Sequence, residues 1–308
     1  MTEQMGLRDQ DLSAMFASAD ATSGAGQRRT KGSIRAELVL LILAAVIGLG
    51  NVRVGAAQLN WFALISAVLF VVSGLLTYVR STSHTEQTWY VGRAGAESVK
   101  TLAWRYAVGG DPFPVSASQE QTDERYLRRL RQIFEELTKS TAIPSTPSGS
   151  HEITDAMREL RSRDLAARRS AYRKGRIEDQ RGWYQRRAVA HARSARIWLF
   201  VTVGSSAVGV VFGFLKFLGV LDLDLLGVFG ACASAAIAWN QLSQFRNLVS
   251  AYNVTAVELG LINDRIDQAA DEDRWAAFVS DSEDAISREH TLWLARHGHP
   301  GIDDSRPA

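Results

Sequence analysis

An all-α membrane protein, built on two transmembrane helical hairpins (four spans) with long cytoplasmic helices, is the fold class this sequence predicts. Three observations predict it. First, Ile197 to Leu215 and Leu225 to Phe245 carry no charged residue, and only a short join with Lys216, Asp222 and Asp224 separates them. A bilayer core of about 30 Å needs about 20 apolar helical residues to cross it. Second, a similar pair lies upstream, Leu38 to Val52 and Val54 to Val79, parted by Arg53. Third, charges are dense between these runs, and no stretch alternates apolar and polar residues as a strand does. In hydrocarbon every backbone amide must be paired within its own element, which favours helices. A buried hairpin of a large soluble core is the competing reading. It is disfavoured because core helices of this length show a polar stripe.

The N-terminal residues 1–33 are polar and rich in Gly, Ser and Ala, and are expected to be disordered apart from a short helix around Asp9 to Phe16. They do not have the pattern of a cleaved secretory signal. In the first apolar run, Gly48-Leu49-Gly50 invites a dinucleotide-loop reading. That fingerprint needs a third glycine at position 53, which is Arg53, and a βαβ unit around it. The glycines are better read as helix packing and a turn. Arg35 and Glu37 extend this run into the headgroup region. The second run has Trp61 near one end and Tyr78 near the other, as interfacial aromatics would be.

Two helices are expected next, Thr85 to Ala107 and Gln119 to Lys139, the latter with Tyr126, Leu130, Phe134 and Leu137 at steps of three and four. Residues 140–150 hold Pro144, Pro147 and Gly149 among Ser and Thr and read as a linker. Glu152 to Arg196 reads as one long charged helix running into the third span. Asn247 to Ala270 continues as helix after the fourth. Asp271 to His297 is a last amphipathic helix, and residues 298–308 are a loose tail. The expected divisions are therefore 34–139, the first hairpin with its helices, and 151–297, the second.

Orientation follows from the basic residues. Arg28, Arg29, Lys31 and Arg35 precede the first span, Arg80 follows the second, and 13 Lys or Arg residues lie from Arg158 to Arg196. The hairpin turns carry only Arg53 and Lys216. The positive-inside rule then places both termini and the middle segment in the cytoplasm, with the protein multi-pass in the inner membrane. The net charge of +2 says little about partners. Nucleic acid is an unlikely partner, because the basic helix carries no recognition motif and attraction to anionic lipid accounts for its charge. The single cysteine, Cys232, allows no disulfide within the chain, which fits a reducing cytoplasm for the soluble parts.

Two stripes share one spacing. Trp89, Arg93, Glu97, Lys100 and Trp104 fall at steps of four, four, three and four, and Tyr172, Arg176, Gln180, Trp183 and Arg187 repeat them. Such steps hold residues on one helix face. A solvated face explains either stripe alone. Their recurrence beside each hairpin points to docking surfaces, between cytoplasmic helices or between protomers, and suggests a loose internal duplication.

Trp89-Tyr-Val-Gly-Arg93-Ala-Gly-Ala-Glu97-Ser-Val-Lys100-Thr-Leu-Ala-Trp104-Arg-Tyr106, with Pro112-Phe113, resembles the hallmark of one SLATT subfamily. Tyr172 to Arg187, with Asp179-Gln180 and Trp183-Tyr184, is similar to that of another, as is the ending Glu289-His290 and Trp293-Leu294. The resemblance spans about Arg35 to Arg296. It implies two-span membrane domains of bacterial conflict systems, encoded beside nucleotide-second-messenger synthases or sensors and inferred to form pores or perturb the membrane. It supplies no catalytic residue to carry over, and no nucleotide-sensing domain is expected among these residues.

Enzyme chemistry finds little footing. None of the six histidines sits in His-Glu-x-x-His spacing, and there is neither a phosphate loop nor a Gly-x-Ser-x-Gly elbow. Ser205-Ser206 has no base near it in sequence, and Asp222 and Asp224 read as turn residues. His297-Gly298-His299 reads as a solvated tail. No catalytic residue, metal or cofactor is expected. For a pore or packing face the candidates are Ser205, Gly209 and Gly213 on the third span, and Gly230, Ser234, Asn240 and Gln244 on the fourth. Small residues four apart allow close helix approach, within one hairpin or between protomers. Intramembrane amides face protein or water. The expected function is a homo-oligomeric membrane effector that opens a pore or breaches the bilayer. A non-conducting scaffold or sensor, binding a partner through its cytoplasmic helices, is the alternative.

Overall fold

The computed structural model describes residues 6–54, 59–83, 85–140 and 151–297. The chain is almost wholly helical. In order it forms α1 (Ala14–Ile47), a minimal antiparallel pair β1 (Arg53–Val54) and β2 (Leu59–Asn60), α2 (Trp61–Thr82), α3 (Thr85–Val108) and α4 (Gln119–Ser140). Then come α5 (Asp155–Ser162), α6 (Leu165–Tyr172), a π-helical turn (Arg173–Glu178), α7 (Asp179–Phe217), α8 (Leu225–Ser243), α9 (Phe245–Arg265) and α10 (Glu272–His297). The expected linker and the tail fall outside the described residues.

Three segments are long and apolar enough to cross a membrane: Trp61–Thr82, Leu165–Phe217 and Leu225–Gln268. Only 6% of the most apolar stretch of each of the first two is buried, against 22% for the third. Val71, Phe200 and Val210 are 70%, 74% and 68% exposed. Side chains this apolar and this open to their surroundings are matched to lipid, not to a protein core. The first predicted run is different. Its helix ends at Ile47, so the part of α1 beyond Glu37 is short, and charged residues accompany it.

The chain forms two compact units, each drawn from both halves of the sequence. One comprises Arg28–Thr85 and Arg186–Tyr252, the other Met1–Gln27, Glu86–Gln185 and Asn253–Ala308.

In the first unit the apolar ends of α1 and α2 form a hairpin. The Asn60 side chain caps α2 by accepting from the Ala63 amide (3.2 Å), while its own amide donates to the Gly50 carbonyl (3.2 Å). Gly50 is needed there, because a Cβ would lie 2.4 Å from the Phe62 ring. Ser66 Oγ donates to the Ala44 carbonyl across the hairpin (2.8 Å), and Arg80 pairs with Glu37 (3.3 Å). The apolar part of α7 and α8 make the second hairpin, with Phe212 stacked on Phe229 (5.5 Å) and Trp198 near Trp239 (6.1 Å).

The other unit is a helical fold with an aromatic core. Trp104, Tyr106, Phe113, Tyr126, Tyr172 and Trp275 are all fully buried. Trp104 meets Tyr172 edge-on at 5.8 Å, and Tyr172 meets Trp275 at 5.8 Å and 90°.

Two sequence expectations need correction. Ala14 to Gly32 is helix, not disordered chain. Its small residues let it lie close against α3: a Cβ on Gly26 would stand 2.9 Å from the Trp89 amide nitrogen, and one on Gly92 would stand 2.9 Å from that of Ser23. Polar, small-residue composition reads as disorder, yet here it permits close packing. The expected single helix from Glu152 to Arg196 is divided at Arg163, which is extended, and Asp164, whose side chain caps α6 by accepting from Ala167 (2.7 Å). Basic residues on both sides hid that cap.

Candidate functional site

Parts of the two stripes meet inside the aromatic-core unit. Arg176 sits in the π-helical turn, where an extra residue per turn re-aims side chains. Gly175 beside it is held to a hydrogen at Cα, because a Cβ would come within 2.9 Å of Trp104. The Arg176 guanidinium is fully buried. Its Nε and Nη2 donate to the two oxygens of Glu283 (2.9 and 2.7 Å), and Nη2 also reaches Glu97 (2.9 Å). Glu283, itself fully buried, accepts further bonds from Tyr172 (2.9 Å) and Thr101 (2.9 Å).

One guanidinium thus serves two carboxylates, from α3 and α10. Desolvation pushes the Arg176 pKa down, but the charges of Glu283 and Glu97 outweigh it and raise it, so the arginine stays protonated. Burial, and then the charge of Glu283, hold the Tyr172 phenol well above its usual range. Nothing in the cluster is poised as a nucleophile or base. Its chemistry is that of a clamp tying α3, the π turn and α10 together.

Around the clamp, arginines close the end of α3. Arg161 donates to the carbonyls of Tyr106, Phe113 and Pro114 (2.9, 2.8 and 2.8 Å). Arg168 Nη1 and Trp275 Nε1 both donate to the Val108 carbonyl (2.7 Å each), and Arg168 also pairs with Glu272. The Tyr106 and Val108 carbonyls lie in the last turn of α3, where intrahelical donors run out, so cations suit them. Tyr106 donates to Asp123 (2.5 Å); burial, and then that bond, raise its pKa to about 12.

The stripe residues divide as follows. Glu97, Trp104, Tyr172 and Arg176 form the clamp and its aromatic wall. Arg93 lies over the Trp183 ring at 5.9 Å. Lys100 pairs with Asp9 (2.6 Å) and lies over Phe16 (5.8 Å). Trp89 stacks on Tyr90 (4.9 Å). Gln180 is half-buried, and Arg187 is exposed in the membrane-type unit. The pairing of stripes is therefore within one chain for the residues that meet. Sequence reading missed Thr101, Arg161, Arg168 and Glu283. The available signal for Glu283 was a carboxylate eight residues after Trp275, on the apolar face of α10.

In the membrane-type unit, Gly209 and Gly213 face α8. A Cβ on Gly209 would lie 3.2 Å from Phe229 Cβ, and one on Gly213 would lie 3.3 Å from Leu226. Ser205 is half-buried, whereas Gly230 and Ser234 are exposed on α8, with nothing near Gly230. Asn240 is half-buried in the last turn of α8. Gln244 takes a left-handed conformation (φ 46°, ψ 36°) and separates α8 from α9. Among the described residues, no group of three or more His, Cys, Asp or Glu side chains could hold a metal ion.

Residues 14–169 match the family described as SMODS and SLOG-associating 2TM effector domain 3, and residues 172–293 match effector domain 1. No curated protein and no solved structure matches the chain. The clamp joins the two matched regions, with Glu97 and Thr101 from the first and Tyr172, Arg176 and Glu283 from the second. The chain belongs to the family of SMODS and SLOG-associating two-transmembrane effector domains, carrying a type 3 unit and a type 1 unit in tandem.

Proposed function

We propose that this protein is a four-span effector of the inner membrane that oligomerises and forms a pore or breaches the bilayer in a bacterial conflict response. The observation that carries the reading is the coincidence of the tandem effector-domain match with helices whose apolar surfaces are open along their length. The remaining crossing is assigned to the end of α1 with Gly48 to Val52. Arg35 lies over the Trp239 ring (5.0 Å) and Glu37 pairs with Arg80 (3.3 Å), contacts that suit charges held at the headgroup level. Both termini and the aromatic-core unit are assigned to the cytoplasm on the distribution of basic residues. In this reading the protein acts without catalysis or cofactor, and its trigger is a nucleotide-signalling synthase or sensor, as the resemblance to the SLATT family implies.

The outward small residues Gly230 and Ser234 leave a face of α8 on which another helix can approach closely. Purified protein reconstituted into dye-loaded vesicles tests the proposal. Release of dye, alone or with an activating partner or nucleotide, is the expected result; tight vesicles under every such condition contradict it. A specific observation favours a second reading, a non-conducting scaffold that binds a partner protein. Val254, Val257 and Leu261 are 56%, 63% and 59% exposed at helical spacing on α9. Induced expression that depolarises cells separates the effector from the scaffold.

A further inference from the structure

The aromatic-core unit carries two apolar stripes that its own packing leaves uncovered. On α4, Leu127 and Phe134 are 46% and 42% exposed, with exposed Arg131 between them. On α9, Val254 and Leu261 are each more than half exposed, with exposed Glu258 between them. In both stripes the charge stands four residues after the first apolar side chain and three before the second. Steps of four and three keep the three residues on one helix face. The stripes therefore share one spacing and carry opposite charges at the same place in it. Exposed Val257 widens the stripe on α9.

The neighbouring charges leave that contrast standing. Glu124 and Arg128, at the edge of the α4 stripe, pair with each other (2.7 Å). Glu135 follows Phe134, and Arg265 lies one turn beyond Leu261; both are exposed. With the stripes laid parallel and Arg131 against Glu258, Glu135 and Arg265 fall within about one turn of each other, with the signs exchanged. Laid against itself, either stripe brings like charges together, Arg131 on Arg131 or Glu258 on Glu258. Laid against each other, the two place an opposite-charge pair between two apolar contacts, the complementarity that fixes register at an interface.

We infer that α4 of one copy docks on α9 of a second copy, through Leu127, Arg131 and Phe134 against Val254, Glu258 and Leu261. The contact is head-to-tail, because it joins two different surfaces of the same unit. Repeated from copy to copy, such a contact closes a ring or runs on as a filament. It names a contact of the oligomer proposed above and rests on that reading. The α9 stripe that the scaffold reading gives to a partner protein is here taken by a second copy.

The test follows full-length protein in mild detergent by sedimentation velocity over a dilution series. The parent is expected to associate. Arg131→Glu and Glu258→Arg are each expected to weaken association roughly tenfold, because each turns an attraction into a repulsion. Combining Arg131→Glu with Glu258→Arg in one chain restores association, and so does mixing the two single variants. Unfolding midpoints equal to the parent's establish that the single variants are folded. If a reversal does not fold, Arg131→Gln and Glu258→Gln take its place, each with roughly a threefold loss.

A parent that stays monomeric overturns the inference and leaves α9 to a partner protein. Association that neither substitution weakens overturns it, as does a double reversal no more associated than the single ones. Loss from only one of the two substitutions gives that stripe a different occupant and also overturns it. Failure of the effector reading is seen separately: association that follows the charge swaps, with vesicles that stay tight, keeps this contact and contradicts the pore. Leaky vesicles with association indifferent to the swaps remove the contact and keep the effector.

Discussion

Arg176 is the residue with most depending on it. Two buried carboxylates share its charge, so deleting it strands both. Removing one partner of a buried ion pair costs about 3–5 kcal/mol, while replacing the whole set with apolar residues is often neutral or better. Arg176→Met is therefore expected to destabilise the aromatic-core unit by that amount in chemical denaturation. Arg176→Met combined with Glu97→Leu and Glu283→Leu recovers most of the loss; a triple variant as unstable as the single one contradicts the clamp. Tyr106 gives a pH signature. Its phenol titrates near 10 in the unfolded chain and at about 12 in the fold. Its contribution is complete below pH 10 and is lost as pH rises from 10 toward 12, on the order of 2 kcal/mol. Tyr106→Phe should flatten the stability profile in that window, as seen in thermal unfolding against pH.

At the scale of elements, the junction of α8 and α9 is the most constrained. Gln244 occupies the left-handed region, which costs a non-glycine residue about 1–2 kcal/mol. Gln244→Val should be less stable than Gln244→Gly by about that much, measured by the midpoint of thermal unfolding in detergent. Equal midpoints would mean that α8 runs straight into α9. This joint was not legible in the sequence, because Asn240 to Arg246 contains neither glycine nor proline to mark a break. Three of the four expected spans were legible because their signal is long and needs no partner: Val54 to Val79 lacks charge whatever surrounds it. The N-terminal part of α1 was hidden for the opposite reason. Ala19, Ser23 and Gly26 show their purpose only once α3 lies against them. The stripe spacing of Glu97 and Arg176 exposed two helix faces, but spacing alone does not say that the faces meet each other. The carboxylate that completes the clamp, Glu283, lies more than a hundred residues downstream of Arg176.

At the scale of the whole molecule, the compact units cut across the two family matches. Each unit pools segments from the type 3 and type 1 regions, so neither region closes a core by itself. The whole account depends on Trp61–Thr82, the apolar part of α7, and α8 having lipid as their solvent. High-speed sedimentation of a detergent-free lysate, followed by an alkaline carbonate wash of the pellet, measures that most directly. The protein is expected in the membrane pellet before and after the wash, and in the supernatant only when detergent is added. A freely dissolved, monodisperse protein in the detergent-free supernatant would contradict the account.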